Sequence, residues 1–385
     1  MRYALLFSMA AMAAAPRFEK TDVYHTGTDG YAIYRIPGIV VTGKGTVLAY
    51  GEARKTTRGD WGTIDIVMKR STDGGRTFGE QRVIASVPGE KSKNPVALAQ
   101  KLATTNEVTY NNPVAIAGRQ AGTVHFVFCL EYMRAFYIRS DDDGLTFSAP
   151  REITQAFEGF RSKYDWKVLA TGPGHGIRLK SGRLLIPIWI STGTGGHAHR
   201  PSVASTIYSD DEGVTWRAGE IALPNEGDWT IPNETAAVEL FDGRVLLNSR
   251  TESKVHRRLL TFSPNGATNW TRPEFHKQLL EPICMGSMAR LTFKGKSVLL
   301  FSNPDNLARA DGKEVEGRPR DRRNVTVKAS YDGSATWPVG RSIEPGPSGY
   351  SDLAVLRDGT ILLLYEHPKG MTVARFNMEW LTEKR

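Results

Sequence analysis

Apolar and polar residues alternate through Ile64-Asp-Ile-Val-Met-Lys-Arg-Ser71 and again through Ala135-Phe-Tyr-Ile-Arg-Ser140. That period of two predicts strands with one face turned towards a core. Both runs end in the same pattern, Ser-x-Asp-x-(Gly/Ser)-x-Thr-(Trp/Phe). It occurs as Ser71-Thr-Asp73-Gly-Gly75-Arg-Thr77-Phe78, Ser140-Asp-Asp142-Asp-Gly144-Leu-Thr146-Phe147, Ser209-Asp-Asp211-Glu-Gly213-Val-Thr215-Trp216 and Ser330-Tyr-Asp332-Gly-Ser334-Ala-Thr336-Trp337. A worn copy, Ser263-Pro-Asn265-Gly-Ala-Thr-Asn-Trp270, lies between the last two. Asp and Gly at the centre are turn chemistry, because the carboxylate bonds nearby backbone N–H groups and Gly accepts positive φ. Each box therefore predicts a hairpin whose closing aromatic packs under its own turn. The Asp residues are assigned to folding rather than to calcium. Ser334, standing where the other full boxes have Gly, predicts a slightly distorted turn. Repeats spaced by roughly 50–70 residues signify stacked supersecondary units, and about four strands per unit repeated radially make a β-propeller. Five box starts, with room for one more unit after Trp337, predict an all-β, six-bladed propeller.

At 385 residues the chain fits one such domain, expected over residues 16–385. No segment reaches the roughly 18 consecutive apolar residues of a membrane span. Residues 1–15 combine Arg2, an apolar stretch and small residues before Pro16, as a secretory signal does, so secretion or a periplasmic location is the expectation. Cys129 and Cys284 lie in apolar strand-like contexts and read as two buried free thiols. The formal net charge is +9, yet no long basic run is interleaved with aromatics, which excludes a nucleic-acid partner. The densest cationic stretch, Arg318-Pro-Arg-Asp-Arg-Arg323, reads as a solvated insertion. A basic balance also suits an enzyme steering small anionic substrates.

Three arginines stand at the ends of predicted strands: Arg35 in Tyr34-Arg-Ile-Pro37, Arg250 closing Val245-Leu-Leu-Asn-Ser-Arg250, and Arg322 opening Arg322-Arg-Asn324-Val-Thr326. A propeller brings strand ends of different blades round one channel. Three guanidiniums gathered there call for an anion, and a planar carboxylate fits them. With the boxes, these motifs resemble the sialidase (exo-α-neuraminidase) family over residues 18–381. The resemblance implies a six-bladed propeller, in agreement with the repeat count. It also implies an arginine triad, Arg35, Arg250 and Arg322, on the carboxylate of sialic acid. Arg320 and Arg323 are close by, but the family pattern Arg-x-Asn-x-Thr selects Arg322.

By the same resemblance the nucleophile is Tyr350, in Gly349-Tyr350-Ser-Asp-Leu353. Its base is Glu234, in Asn233-Glu234 ahead of Val238-Glu-Leu-Phe-Asp-Gly243, with Glu239 as rival. The acid/base is Asp60, in Arg58-Gly-Asp-Trp-Gly62, following Arg54 of the substrate-binding set. Glu366, in Leu364-Tyr-Glu366, would brace Arg35. Many family members carry Asp where Thr63 stands; Asp65 reads as strand alternation, which leaves Asp60 as the acid.

The implied reaction is retaining hydrolysis of terminal sialic acids through a tyrosyl intermediate, without metal or organic cofactor. Sialylated glycans are the expected partners and a monomer the expected state. A carboxylate nucleophile would meet the substrate's own carboxylate, a repulsion that a neutral phenol avoids. His197-Ala-His199 carries two imidazoles that could ligate a metal, but its Gly-rich surroundings read as an exposed loop on the site rim. Loops 133–136 and 192–201 are expected to set linkage preference. The rival readings are a non-catalytic carbohydrate-binding propeller and a glycosidase for another 2-keto acid sugar.

Overall fold

Most strands pair with their sequence neighbours, because short hairpin turns leave no length for a crossover. The computed structural model describes residues 14–57, 59–194, 196–313 and 319–383. Among them, six sheets form a ring, a six-bladed β-propeller. The first blade runs Ile33–Val41, Val47–Arg54, Ile64–Ser71 and Arg82–Val83. The other blades begin with Tyr110–Ala117, Val168–Thr171, Thr235–Glu239, Ser287–Phe293 and Ser351–Val355. A short strand, Gly174–His175, pairs in parallel with Tyr110–Ala117. The sixth blade takes its outer strand from the opposite end of the chain: Phe18–His25 pairs antiparallel with Gly370–Phe376, from Phe18 opposite Phe376 to His25 opposite Gly370. The leader-like segment expected at residues 1–15 lies, except for its last two residues, outside the described residues.

The core is not one mass but a set of apolar layers between adjacent blades. Val114, Phe157, Leu184 and Trp216 pack between the second and third blades, and Val327, Leu363 and Phe376 between the fifth and sixth. A middle strand is thus covered on both faces, and Val124–Leu130, Leu184–Ser191 and Gly370–Phe376 are buried at every position. This is why these strands read as near-continuous apolar runs instead of alternating.

The boxes are the turns between third and fourth strands. In the first, Ser71 Oγ donates to Asp73 Oδ1 (2.7 Å) and accepts from Gly75 N (2.8 Å), while Asp73 accepts from Thr77 Oγ1 (2.7 Å). The same set recurs at Ser140, Ser209 and Ser330. One expectation needs correction. The turn at Ser334 is not distorted: Ser334 adopts φ +83°, as Gly75 does at +85°, and keeps its bond to Ser330 Oγ at 3.0 Å. The closing Trp216 also reaches beyond its own blade. Its ring lies 6.0 Å from that of Tyr137 in the preceding blade, so the box aromatic helps seal the joint between blades.

Cys129 and Cys284 are both free and buried. No helix among the described residues is long and apolar enough to cross a membrane.

At the centre of the ring, Asp352 ties several blades together. Its Oδ2 accepts from Ile39 N (2.8 Å), and its Oδ1 from Ser287 Oγ (2.7 Å), with His175 Nδ1 also 2.8 Å away. Arg35, Asn112, Glu234 and Tyr350 all stand at or just before the starts of first strands, so they gather at one mouth of the channel.

Candidate active site

Arg35 precedes a break in register between Arg35 and Gly38, where Ile36 takes φ +59°. A β-branched residue in that region is strained, and such strain persists only where the surroundings impose it. Glu366 does so here: its Oε1 accepts from Arg35 Nε (3.0 Å) and Ile36 N (2.8 Å), and its Oε2 from Tyr350 N (3.2 Å). Glu366 therefore fixes both an arginine and the backbone of the tyrosine.

Arg250 and Glu234 are neighbours because their chains pair, Arg250 N donating to Glu234 O (2.9 Å). Arg250 Nη1 donates to Glu234 Oε2 (2.5 Å) and to the Tyr350 hydroxyl (2.8 Å). The Tyr350 hydroxyl in turn donates to Glu234 Oε1 in a short hydrogen bond. The guanidiniums of Arg35 and Arg322 lie 5.1 and 5.0 Å from the centre of the Tyr350 ring. All three arginines thus converge on one phenol. Arg322 Nη2 donates to Ile283 O (2.8 Å), and among the described residues Arg322 has no carboxylate partner.

Asp60 sits across the cavity. Arg54 Nη1 donates to its Oδ1 (3.1 Å) and to Gly59 O (2.5 Å), and Glu52 holds Arg54 from behind (Nη2 to Oε2, 2.6 Å). Arg54 is 2 % exposed while the Asp60 side chain keeps 45 %. The arginine is thus a buttress to Asp60 rather than part of the cavity lining. Asp65 accepts from Tyr31 Oη (2.8 Å), in keeping with a structural part. Glu239, the rival base, lies at the far end of its strand, tied to Arg290 (2.8 Å) and remote from Tyr350.

Arg35, Asp60, Glu234, Arg250, Arg322 and Tyr350 line a cavity of ≈ 230 Å³ together with Asn112, Tyr132, Trp189, His197, His199, Arg200 and Glu252. A second hollow of ≈ 360 Å³ abuts it, sharing Asp60, His197 and His199, with Trp61 and Leu102 on its apolar side. Burial, and then the Glu234 carboxylate, push the Tyr350 phenol far above its usual value, against the pull of Arg250 and Arg322. Burial would raise Asp60 too, but Arg54, His199 and Arg35 outweigh it and hold the carboxyl well below the usual range. Burial, opposed by Asp60, lowers His199 to about 4, leaving a neutral ring packed at tilted and edge-on angles against Trp61, Tyr132 and Trp189.

Among the described residues no group of three or more His, Cys, Asp or Glu is placed to hold a metal ion. The segment read as a solvated insertion is not remote: Pro319 and Arg322 line the cavity, whereas Arg318 lies outside the described residues. Of loops 133–136 and 192–201, only the second reaches the cavity, because Ala135 and Phe136 turn into inter-blade cores. Sequence reasoning missed Glu52, Tyr132, Trp189, Arg200 and Glu252. Only the aromatics carried a signal, as large rings near strand ends.

The chain and its fold have counterparts among known proteins. The family model of the BNR repeat-like domain matches residues 45–363. A sialidase of Micromonospora viridifaciens is 34 % identical over 386 residues, covering 95 % of this chain and 55 % of the relative. A sialidase of Bacteroides fragilis is 29 % identical over 368 residues, covering 89 % and 62 %. The chain thus spans a little over half the length of these curated relatives. Of solved structures, the Hadza microbial sialidase Hz136 superposes with a TM-score of 0.74 at 27 % identity, covering 93 % of this chain and 68 % of that one. The intramolecular trans-sialidase from Ruminococcus gnavus gives 0.72 at 17 % identity, covering 94 % and 98 %, a likeness of fold. This chain belongs to the sialidase family with BNR repeats.

Proposed function

We propose that the protein is an exo-α-sialidase, a retaining glycoside hydrolase acting on terminal sialic acids of glycoconjugates. The observation that carries this reading is the hydrogen bond from the Tyr350 hydroxyl to Glu234, made within reach of three arginines. A binding module needs the arginines but has no use for a phenol aimed at a carboxylate. The relatives named sialidase support the same class.

Arg35, Arg250 and Arg322 grip the substrate carboxylate. Tyr350 Oη forms a bond to the anomeric carbon as its proton passes to Glu234, which offsets the phenol's reluctance to ionise. The glycosidic C–O bond breaks, and the leaving oxygen takes a proton from Asp60. Water then attacks the same carbon and gives its proton to Asp60. The tyrosyl bond breaks and Tyr350 recovers its proton from Glu234. The leaving group lies in the apolar hollow beyond Asp60, since the acid must face the departing oxygen. In the empty site Arg54 and Arg35 keep Asp60 ionised. An anionic substrate on Arg35 offsets part of that field and raises Asp60 towards the protonated form that the first step requires.

A fluorogenic sialoside tests the reading. The wild type should release the fluorophore, and Tyr350→Phe should be slower by roughly 10³-fold or more. Equal rates for the two would favour a non-catalytic binding propeller. No release from the sialoside, with a different acid freed from mixed glycans and identified by mass spectrometry, would point to another 2-keto acid sugar.

A further inference from the structure

The largest side chain wholly removed from solvent is Arg258, on the strand Arg257–Ser263, and its partner Glu281 is equally buried. Neither lines the cavity. Arg258 Nε donates to Asn248 Oδ1 (2.6 Å) and Nη2 to Asn248 O (2.9 Å), two residues before Arg250. Its Nη1 donates to Cys284 O (3.0 Å) and pairs closely with Glu281 Oε2. Glu281 Oε1 accepts from Cys284 N (2.8 Å). Both backbone polar groups of Cys284 are therefore held by this one ion pair. The preceding residue is Ile283, at φ +63°, and its carbonyl is the hydrogen-bond partner of Arg322.

Such a pair is not needed for stability as such, because apolar replacements of similar volume are often neutral or better. Nor does the fold require isoleucine in the left-handed region, where a β-branched side chain is an outlier. Strain of this kind survives only when its surroundings over-determine it, and it concentrates at functional sites. We infer that the buried Arg258–Glu281 pair is a positioning device: it holds Ile283 in its strained turn so that the Ile283 carbonyl aims Arg322 at the substrate carboxylate, while bracing the strand that delivers Arg250. Arg322 needs this support more than its two fellows, which have Glu366 and Glu234. The inference rests on the sialidase reading above.

The test replaces the pair by Arg258→Met/Glu281→Leu and measures inhibition by 2,3-dehydro-sialic acid and by its C1 amide, which lacks the negative charge. The ratio of the two inhibition constants reports grip on the carboxylate alone. The wild type should prefer the acid strongly. The paired variant, with its melting temperature checked, should lose that preference about 10-fold or more. Adding Ile283→Gly to the variant should restore most of it, since glycine adopts positive φ without being held. A merely structural role would weaken both ligands equally, or leave the ratio untouched, and either result overturns the inference, as does failure of the glycine to restore. Should the paired variant not fold, Arg258→Lys takes its place. It keeps the charge but cannot reach Asn248, Glu281 and Cys284 together, so the same loss and the same rescue are expected. A wild type with no preference for the acid would sink the sialidase reading itself. A preference retained in both proteins sinks only the positioning role.

Discussion

At position 334 a serine occupies the turn slot that Gly75, Gly144 and Gly213 fill, at the same positive φ. The left-handed region costs a residue with a Cβ roughly 1–2 kcal/mol, and the Ser334 hydroxyl is buried without a partner among the described residues. Ser334→Gly should therefore stabilise the protein by about 1 kcal/mol, after allowing for the greater freedom of glycine in the unfolded chain. Denaturant unfolding will show it as a higher midpoint with unchanged slope. At the site, Arg250 serves Glu234 and Tyr350 at once. Arg250→Ala should lower kcat/KM by an amount equivalent to about 2–5 kcal/mol, since a buried charged partner is left unpaired. Steady-state kinetics on a sialoside would measure it, and an unchanged kcat/KM would remove Arg250 from the triad.

The strand Ile361–His367 carries Glu366 to its end, where one carboxylate secures Arg35, the Ile36 amide and the Tyr350 amide. A brace for Arg35 alone would have a mild effect when lost. Three bonds predict more: Glu366→Ala should reduce kcat/KM by the equivalent of about 2–4 kcal/mol, with both KM and kcat affected, because Arg35 and Tyr350 loosen together. This strand also shows what was legible in the sequence. The boxes were readable because their hydrogen bonds close within four residues, so a local pattern carries the whole turn. The bond between Arg35 and Glu366 spans 331 positions. No spacing rule reaches that far, and only the family resemblance placed Glu366 there. Glu52, Arg258 and Glu281 left no trace at all, since a buried ion pair looks in sequence like two ordinary surface charges. The Ser334 turn misled for the opposite reason: its side chain suggested a change that the backbone does not make.

Across the whole molecule, the hub contact of His175 and Asp352 links stability to pH. Burial works against a charged imidazole, but the Asp352 carboxylate outweighs it and raises His175 above its ordinary value. A raised folded-state value means that this stabilisation is complete below the unfolded value of about 6.5 and fades as pH climbs through the folded one. Melting temperatures should therefore drop from slightly acidic to alkaline pH more steeply in the wild type than in His175→Gln. The joint between first and last blades gives another test. Removal of residues 14–25 would strip Phe18–His25 from Gly370–Phe376 and leave a long apolar edge unpaired. The shortened protein should melt earlier in calorimetry and scatter more light on standing. The intact joint has a further consequence for how the ring is made. The outermost ribbon of the last blade is the first of the described strands to leave the ribosome, and its seat is the last of those strands to do so. Until then the circle stands open, and two chains maturing side by side have a ready route to exchange ribbons and close as an interlinked pair.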